Sequence, residues 1–172
     1  DVEIQNVKTK VASFPWHEMP KDGGWSFGTN IDYMKNLADY WTKEYDWKSQ
    51  EARLNQFPNY KTKVDDLDIH FIIKKSSSPK AIPLILIHGW PGSIVEFLEI
   101  IDPLCEPEKY GNDNEVCFDI IAPSIPGFAF SGKPENPIGP RRIASIFNKL
   151  MTEKLGYKKY VAQGGDWGSA IS

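Results

Sequence analysis

The chain has 172 residues, of which 41% are hydrophobic and 25% are charged. These are ordinary proportions for a folded globular protein, and they exclude a disordered tail or a collagen-like fibre. The formal net charge of −3 argues against a nucleic-acid partner, because phosphate binding requires a basic surface. Two cysteines are too few for a disulfide framework, and no apolar run approaches the length of a membrane span.

Residues 1–57 are predicted to form a helical N-terminal region. Thr29 and Asp32 have the spacing of a capping box, which predicts a helix start at Thr29. Apolar residues then recur at helical spacing up to Trp41, so one face of this helix is apolar. The helices predicted in this region cover residues 2–12, 31–41 and 49–55.

Residues 58–172 are predicted to form the N-terminal half of an α/β domain. Side chains alternate on both sides of Asp65-Asp66, which indicates a β-hairpin with His70 on its solvent face. Short apolar strands alternating with helices then predict a mostly parallel sheet with helices on both faces. The strands are predicted over residues 82–87, 118–122 and 160–163, and the helices over residues 94–101 and 141–155.

The segment with the clearest chemistry follows the last predicted strand: Gly164-Gly165-Asp166-Trp167-Gly168-Ser169. Small residues around a central nucleophile, between a strand and a helix, are typical of a nucleophile elbow. Asp166 is the central residue, and its carboxylate is ionised at pH 7, so it needs no base to attack a carbon atom. The product is an ester that water then hydrolyses. The alternative is that Asp166 only caps a helix.

A second motif, His88-Gly89-Trp90-Pro91-Gly92-Ser93, follows the strand over residues 82–87. In a fold with a nucleophile elbow, this loop faces the elbow and supplies one backbone N–H to an oxyanion hole. The predicted donors are the N–H groups of Trp90 and Trp167, whose side chains either line the site or belong to the core. His88 is too close to the strand end for a mobile base, and we interpret it as a structural histidine.

A third motif is the loop of residues 122–132, which is rich in Pro and Gly. It follows the strand over residues 118–122 and is therefore expected at the same edge of the sheet. One interpretation makes it a wall of the substrate pocket, with Phe128 and Phe130 as apolar lining. The other makes it a surface connection.

These motifs together resemble the microsomal-type epoxide hydrolases, which have the α/β-hydrolase fold. The N-terminal region is also similar to that of the family, in Tyr45-Asp46-Trp47, Glu51-Ala52-Arg53-Leu54-Asn55 and Phe57-Pro58. The resemblance implies that Asp166 opens a lipophilic epoxide, that Trp90 and Trp167 supply the oxyanion-hole N–H groups, and that water completes a vicinal diol. It implies substrate contacts from Phe128, Trp90 and Trp167, and neither a metal nor an organic cofactor.

In the family, a His with an acidic partner and the Tyr residues of a helical lid follow the elbow in chain order. This sequence ends at Ser172. We therefore expect a fragment of a longer chain, with the lid and last strands absent, which does not turn over an epoxide by itself. The remainder of the hydrolase domain is its expected partner, and a homodimer and a cytoplasmic or membrane-associated location are further expectations.

Two alternatives remain open from the sequence. Haloalkane dehalogenases also use an Asp nucleophile followed by Trp, whose indole N–H holds the leaving halide. The glycines before Asp166 and the position of Trp90 fit the epoxide interpretation better. The other alternative is a non-catalytic module built from a truncated hydrolase fold.

Overall fold

A computed structural model describes residues 1–20, 23–112 and 116–172. The chain divides into two compact units, residues 1–52 and residues 53–172. In the described residues, no helix is both long and apolar enough to cross a membrane.

The first unit contains helices α1 (Val2–Ala12) and α2 (Ile31–Lys43) and most of α3 (Trp47–Leu54). The side chain of Asn30 accepts a hydrogen bond from the backbone N–H of Tyr33 and caps α2, so the predicted cap at Thr29 is wrong by one residue. Asn is as good a cap as Thr, and spacing alone does not choose between neighbours.

The second unit is built on a five-stranded sheet in the order β1-β2-β4-β3-β5. The hairpin strands pair antiparallel with each other, and β2 also pairs antiparallel with β4. Strand β3 pairs parallel with both β4 and β5, as expected for the α/β units. The sheet is therefore mixed. Its strands are β1 (Asn59–Val64), β2 (Leu67–Lys74), β3 (Ile82–Ile87), β4 (Phe118–Pro123) and β5 (Val161–Gly164).

Helices cover the two faces of this sheet. A 3₁₀ turn (Ile94–Phe97) and α4 (Leu98–Cys105) pack on one face, in a core that includes Leu86 and Ile120. Helix α5 (Pro140–Lys149), its π-helical continuation (Leu150–Lys154) and the short α6 (Trp167–Ile171) pack on the other, against Ile87 and Ile121. Alternate residues of β3 and β4 thus point into two separate cores, which explains their continuous apolar sequence.

The predicted solvent exposure of His70 is wrong, because this side chain is buried. Its ring forms a hydrogen bond with the hydroxyl of Ser124, and the backbone N–H of His70 donates to the hydroxyl of Ser131. Both serines belong to the loop after β4. Alternation along one strand does not reveal a loop 54 residues away that covers the face on which His70 lies.

The turn of the β-hairpin is bound to α5 by ion pairs. The carboxylate of Asp65 lies 2.7 Å from Lys149 Nζ and 2.9 Å from an Arg142 guanidinium nitrogen. The hydrogen bond from Lys149 is the main reason that the pKa of Asp65 is lowered. A carboxyl group with a lowered native pKa stabilises the fold above its unfolded pKa, and this contribution disappears as the pH falls through the native pKa.

We therefore expect Asp65→Asn to lower the urea midpoint of unfolding at neutral pH and to have little effect in strong acid. Asparagine tolerates the positive φ of 54° at this position, so the variant tests the charge and not the turn. Asp66→Asn is the control, because Asp66 lies 3.8 Å from Arg142 and is largely exposed. A midpoint difference for Asp65→Asn that is the same at every pH would contradict this account.

Candidate active site

Asp166 lies on a sharp turn between β5 and α6. Its φ of 51° and ψ of −125° are values that residues with side chains rarely adopt. A Cβ atom on Gly164 would overlap the backbone of Gly168, and one on Gly168 would overlap the carbonyl group of Ile87. The two glycines therefore allow the tight strand-to-helix turn that a nucleophile elbow requires.

The Asp166 carboxylate is exposed and accepts a hydrogen bond from the backbone N–H of Trp90, at 2.8 Å from Oδ1. It makes no capping hydrogen bond to α6, so the alternative in which Asp166 only caps a helix does not describe this structure. Trp90 lies 76 residues earlier in the chain, on the loop after β3. Because β3 and β5 are parallel neighbours, their carboxyl ends bring these two loops to the same edge of the sheet.

Backbone N–H groups lower the pKa of Asp166. The hydrogen bond from Trp90 is the largest cause, the N–H of Trp167 is the second, and partial desolvation opposes both. Donors directed at a carboxylate favour its charged form, so these backbone groups stabilise the Asp166 anion. The two donors are the N–H groups that the sequence predicts for an oxyanion hole, and that role stays a prediction.

Gly89 is a site residue that the sequence analysis did not single out. A Cβ atom at this position would lie 2.7 Å from both Cβ and Oδ1 of Asp166, which is closer than such atoms approach in proteins. Only glycine therefore lets Asp166 reach the N–H of the next residue, Trp90. The sequence does contain a sign of this contact: a glycine between the end of a strand and a predicted N–H donor. Glycine at such a position often marks a place where another group comes close to the backbone.

His88 orients the peptide group that carries the Trp90 N–H. The imidazole is fully buried, with Nδ1 at 3.0 Å from the Gly89 carbonyl oxygen and Nε2 at 3.0 Å from the N–H of Ile125. A backbone N–H only donates, so Nε2 accepts and the ring proton is on Nδ1. The C=O of Gly89 and the N–H of Trp90 point in opposite directions from one planar peptide, so holding the first directs the second at Asp166.

This arrangement agrees with the interpretation of His88 as a structural histidine. The rings of Phe128 and His88 form a T-shaped pair, with 5.3 Å between ring centroids. Phe130 packs in the same way against His70, at 5.1 Å. The loop after β4 therefore packs on the sheet through Phe128 against His88 and Phe130 against His70. Phe130 nevertheless remains 60% exposed.

The remaining predicted site residues follow the carboxyl ends of β3, β4 and β5. The side chains of Trp90 and Trp167 are 66% and 51% exposed, so they are not core residues in this structure. Phe128 is half-buried through its contact with the core. In the described parts of the chain, no group of three or more His, Cys, Asp or Glu side chains is arranged to hold a metal ion.

Two family models match the chain. Residues 1–97 match the epoxide hydrolase N terminus, and residues 82–172 match the α/β-hydrolase fold. The chain is 42% identical to juvenile hormone epoxide hydrolase 1 of Ctenocephalides felis, over 98% of this chain and 36% of that protein. It is 39% identical to epoxide hydrolase 1 of Sus scrofa, over 99% of this chain and 38% of that protein. The chain thus spans less than two fifths of the length of these relatives.

Solved structures show the same similarity. The juvenile hormone epoxide hydrolase of the silkworm Bombyx mori superposes with a TM-score of 0.89 at 36% identity, over 99% of this chain and 41% of that one. The epoxide hydrolase of Aspergillus niger superposes with a TM-score of 0.85 at 34% identity, over 99% of this chain and 45% of that one.

We expect Gly89→Ala to raise the pKa of Asp166 towards that of an ordinary aspartate, because the new methyl group displaces the carboxylate from the Trp90 N–H. The measurement is a titration of the Asp166 carboxyl carbon followed by ¹³C NMR. Gly139→Ala is the control, since a Cβ atom there meets nothing within 4 Å and its φ is negative. An unchanged titration midpoint in Gly89→Ala would contradict the proposed close contact.

Proposed function

Because this chain belongs to the epoxide hydrolase family with the α/β-hydrolase fold, we propose that it carries the nucleophile of an enzyme that converts lipophilic epoxides into vicinal diols. The observation that carries the proposal is the exposed Asp166 carboxylate on a strained turn, with the Trp90 N–H at 2.8 Å. A carboxylate held by backbone donors is an anionic nucleophile that needs no deprotonation.

In the first step, one Asp166 carboxylate oxygen forms a bond to an epoxide carbon. The C–O bond of the three-membered ring breaks, and its electron pair stays on the ring oxygen, which then takes a proton. The resemblance assigns that proton to Tyr residues of a lid that follow the elbow in chain order. The result is an ester between Asp166 and the substrate.

In the second step, water attacks the carbonyl carbon of the Asp166 ester. Negative charge develops on the carbonyl oxygen, and the N–H groups of Trp90 and Trp167 stabilise it. One such donor contributes roughly 100- to 1,000-fold in rate in other hydrolases. The tetrahedral intermediate then collapses, releases the diol and restores the Asp166 carboxylate. In the family, a His with an acidic partner beyond the elbow activates the water.

Aromatic residues after the carboxyl ends of β3, β4 and β5 support a lipophilic substrate. Trp90 and Trp167 are exposed residues whose backbone N–H groups act on Asp166, and Phe128 lies on the loop after β4. The loops at this edge of the sheet are therefore rich in aromatic residues, which suit an apolar substrate. Two of the relatives are named juvenile hormone epoxide hydrolases, which supports an epoxide as the substrate. A homodimer, and a cytoplasmic or membrane-associated location, belong to the proposal through the family resemblance alone.

Isotope labelling tests the covalent mechanism in the full-length enzyme. With the enzyme in excess over an aryl epoxide in H₂¹⁸O, we expect the first diol to contain no heavy oxygen. The peptide that contains Asp166 should gain one ¹⁸O atom, detected by mass spectrometry, because water attacks the ester carbonyl carbon. Asp166→Asn should abolish the label and the diol, while Asp39→Asn on α2 is a control with no expected effect.

Diol formed in the first turnover that already carries ¹⁸O would overturn the proposal, since water would then have attacked the epoxide directly. A 1-haloalkane assayed in parallel tests the dehalogenase alternative. Halide release by the parent enzyme without diol formation from the epoxide would favour it.

A further inference from the structure

His70 is the centre of a buried hydrogen-bond network outside the reacting groups. Its Nδ1 lies 2.9 Å from the hydroxyl of Ser124, and its Nε2 lies 2.8 Å from Oδ1 of Asn59. Its backbone N–H donates to the hydroxyl of Ser131 at 3.0 Å, and its carbonyl accepts from the N–H of Ser124 at 2.9 Å. One residue of β2 thus makes four hydrogen bonds, three of them to the loop after β4.

The donor and acceptor roles in this network follow from Asn59. Its amide nitrogen donates to the carbonyl oxygens of Leu54 and Phe57, so its Oδ1 faces His70 and can only accept. His70 Nε2 therefore carries the proton, and Nδ1 accepts from the Ser124 hydroxyl. Burial lowers the pKa of His70, with the charge of Lys61 on the paired strand as a second cause, which favours this neutral ring.

The network fixes both ends of the segment of residues 124–132, which we call the 124–132 loop. At one end, Ser124 is bound to His70. At the other, the Ser131 hydroxyl donates to the Ser124 carbonyl at 2.7 Å, and the N–H of Gly132 donates to the Asp68 carbonyl at 2.7 Å. The loop is therefore closed on itself and held on β2.

The 124–132 loop is connected to the candidate active site by hydrogen bonds through His88. Ile125 follows Ser124 directly, and its N–H donates to Nε2 of His88. His88 in turn holds the Gly89 carbonyl, whose peptide group carries the Trp90 N–H. We infer that His70 is a positioning residue that directs the Trp90 N–H at Asp166 through the 124–132 loop.

This inference rests on the proposed function and assigns His70 to its second step. Ester hydrolysis depends on the placement of the Trp90 N–H at the developing oxyanion, whereas ester formation uses a carboxylate that is already charged. Loss of the His70–Ser124 hydrogen bond should therefore slow hydrolysis of the ester more than its formation. The ester should accumulate during turnover.

Two variants of His70 in the full-length enzyme separate positioning from stability. His70→Asn places an acceptor where Nδ1 is, so it can retain the bond to Ser124 and lose the one to Asn59. His70→Gln places a donor near the position of Nε2, so it can retain the bond to Asn59 and lose the one to Ser124. We expect His70→Gln to slow ester hydrolysis on the order of tenfold, because small misplacements of catalytic groups have effects of at least this size. His70→Asn should hydrolyse the ester close to the parental rate.

The measurements are single-turnover rates of ester formation and hydrolysis, with the ester on Asp166 quantified by mass spectrometry, and thermal unfolding of each variant. Ser124→Ala removes only a hydroxyl and should behave like His70→Gln, which keeps the test available if a His70 variant fails to fold. Asn59→Ser is the matched control on the other ring nitrogen and should leave ester hydrolysis unchanged.

Equal hydrolysis rates in His70→Asn and His70→Gln, or a parental rate in Ser124→Ala, would overturn the inference. A parent enzyme that forms no ester on Asp166 would instead overturn the proposed function. The two failures are therefore distinguishable in one set of experiments.

Discussion

The hydrogen bond from the Trp90 N–H to Asp166 is the interaction on which the candidate site depends. It joins two loops far apart in sequence, and it exists because β3 and β5 are parallel neighbours whose register pairs Ile87 with Gly164. Both loops begin at the carboxyl edge of the sheet, directly after two residues that are paired with each other. A shift of one residue in this register would place the donor and the carboxylate on different levels.

The surrounding structure keeps these two loops in place. Strand β3 lies inside the sheet between β4 and β5, with one core on each face, so its carboxyl end has little freedom to move. His88 continues this buried strand and binds the backbone on both sides of its ring. The site is therefore supported by buried polar contacts as well as by apolar packing, and a satisfied polar network of this kind specifies one arrangement.

Much of the architecture could be predicted from local patterns. The first helix and β3 have the predicted limits, and the turn at Asp166 and the donor at Trp90 follow from short motifs directly after strands. The parts that could not be predicted depend on distant residues. The burial of His70 requires a loop that is remote in sequence, and the need for glycine at position 89 is set by the Asp166 side chain.

The close contact between Gly89 and the Asp166 side chain also restricts which acidic residue fits at position 166. The side chain of Asp166 occupies the space that a Cβ atom on residue 89 would need, and its Oδ1 accepts from the next N–H. A glutamate would need to fold its additional methylene group into the same gap, or extend past it and lose the donor. Under the proposed function, variants of this scaffold for other electrophiles would therefore have to keep an aspartate at position 166 and change other residues.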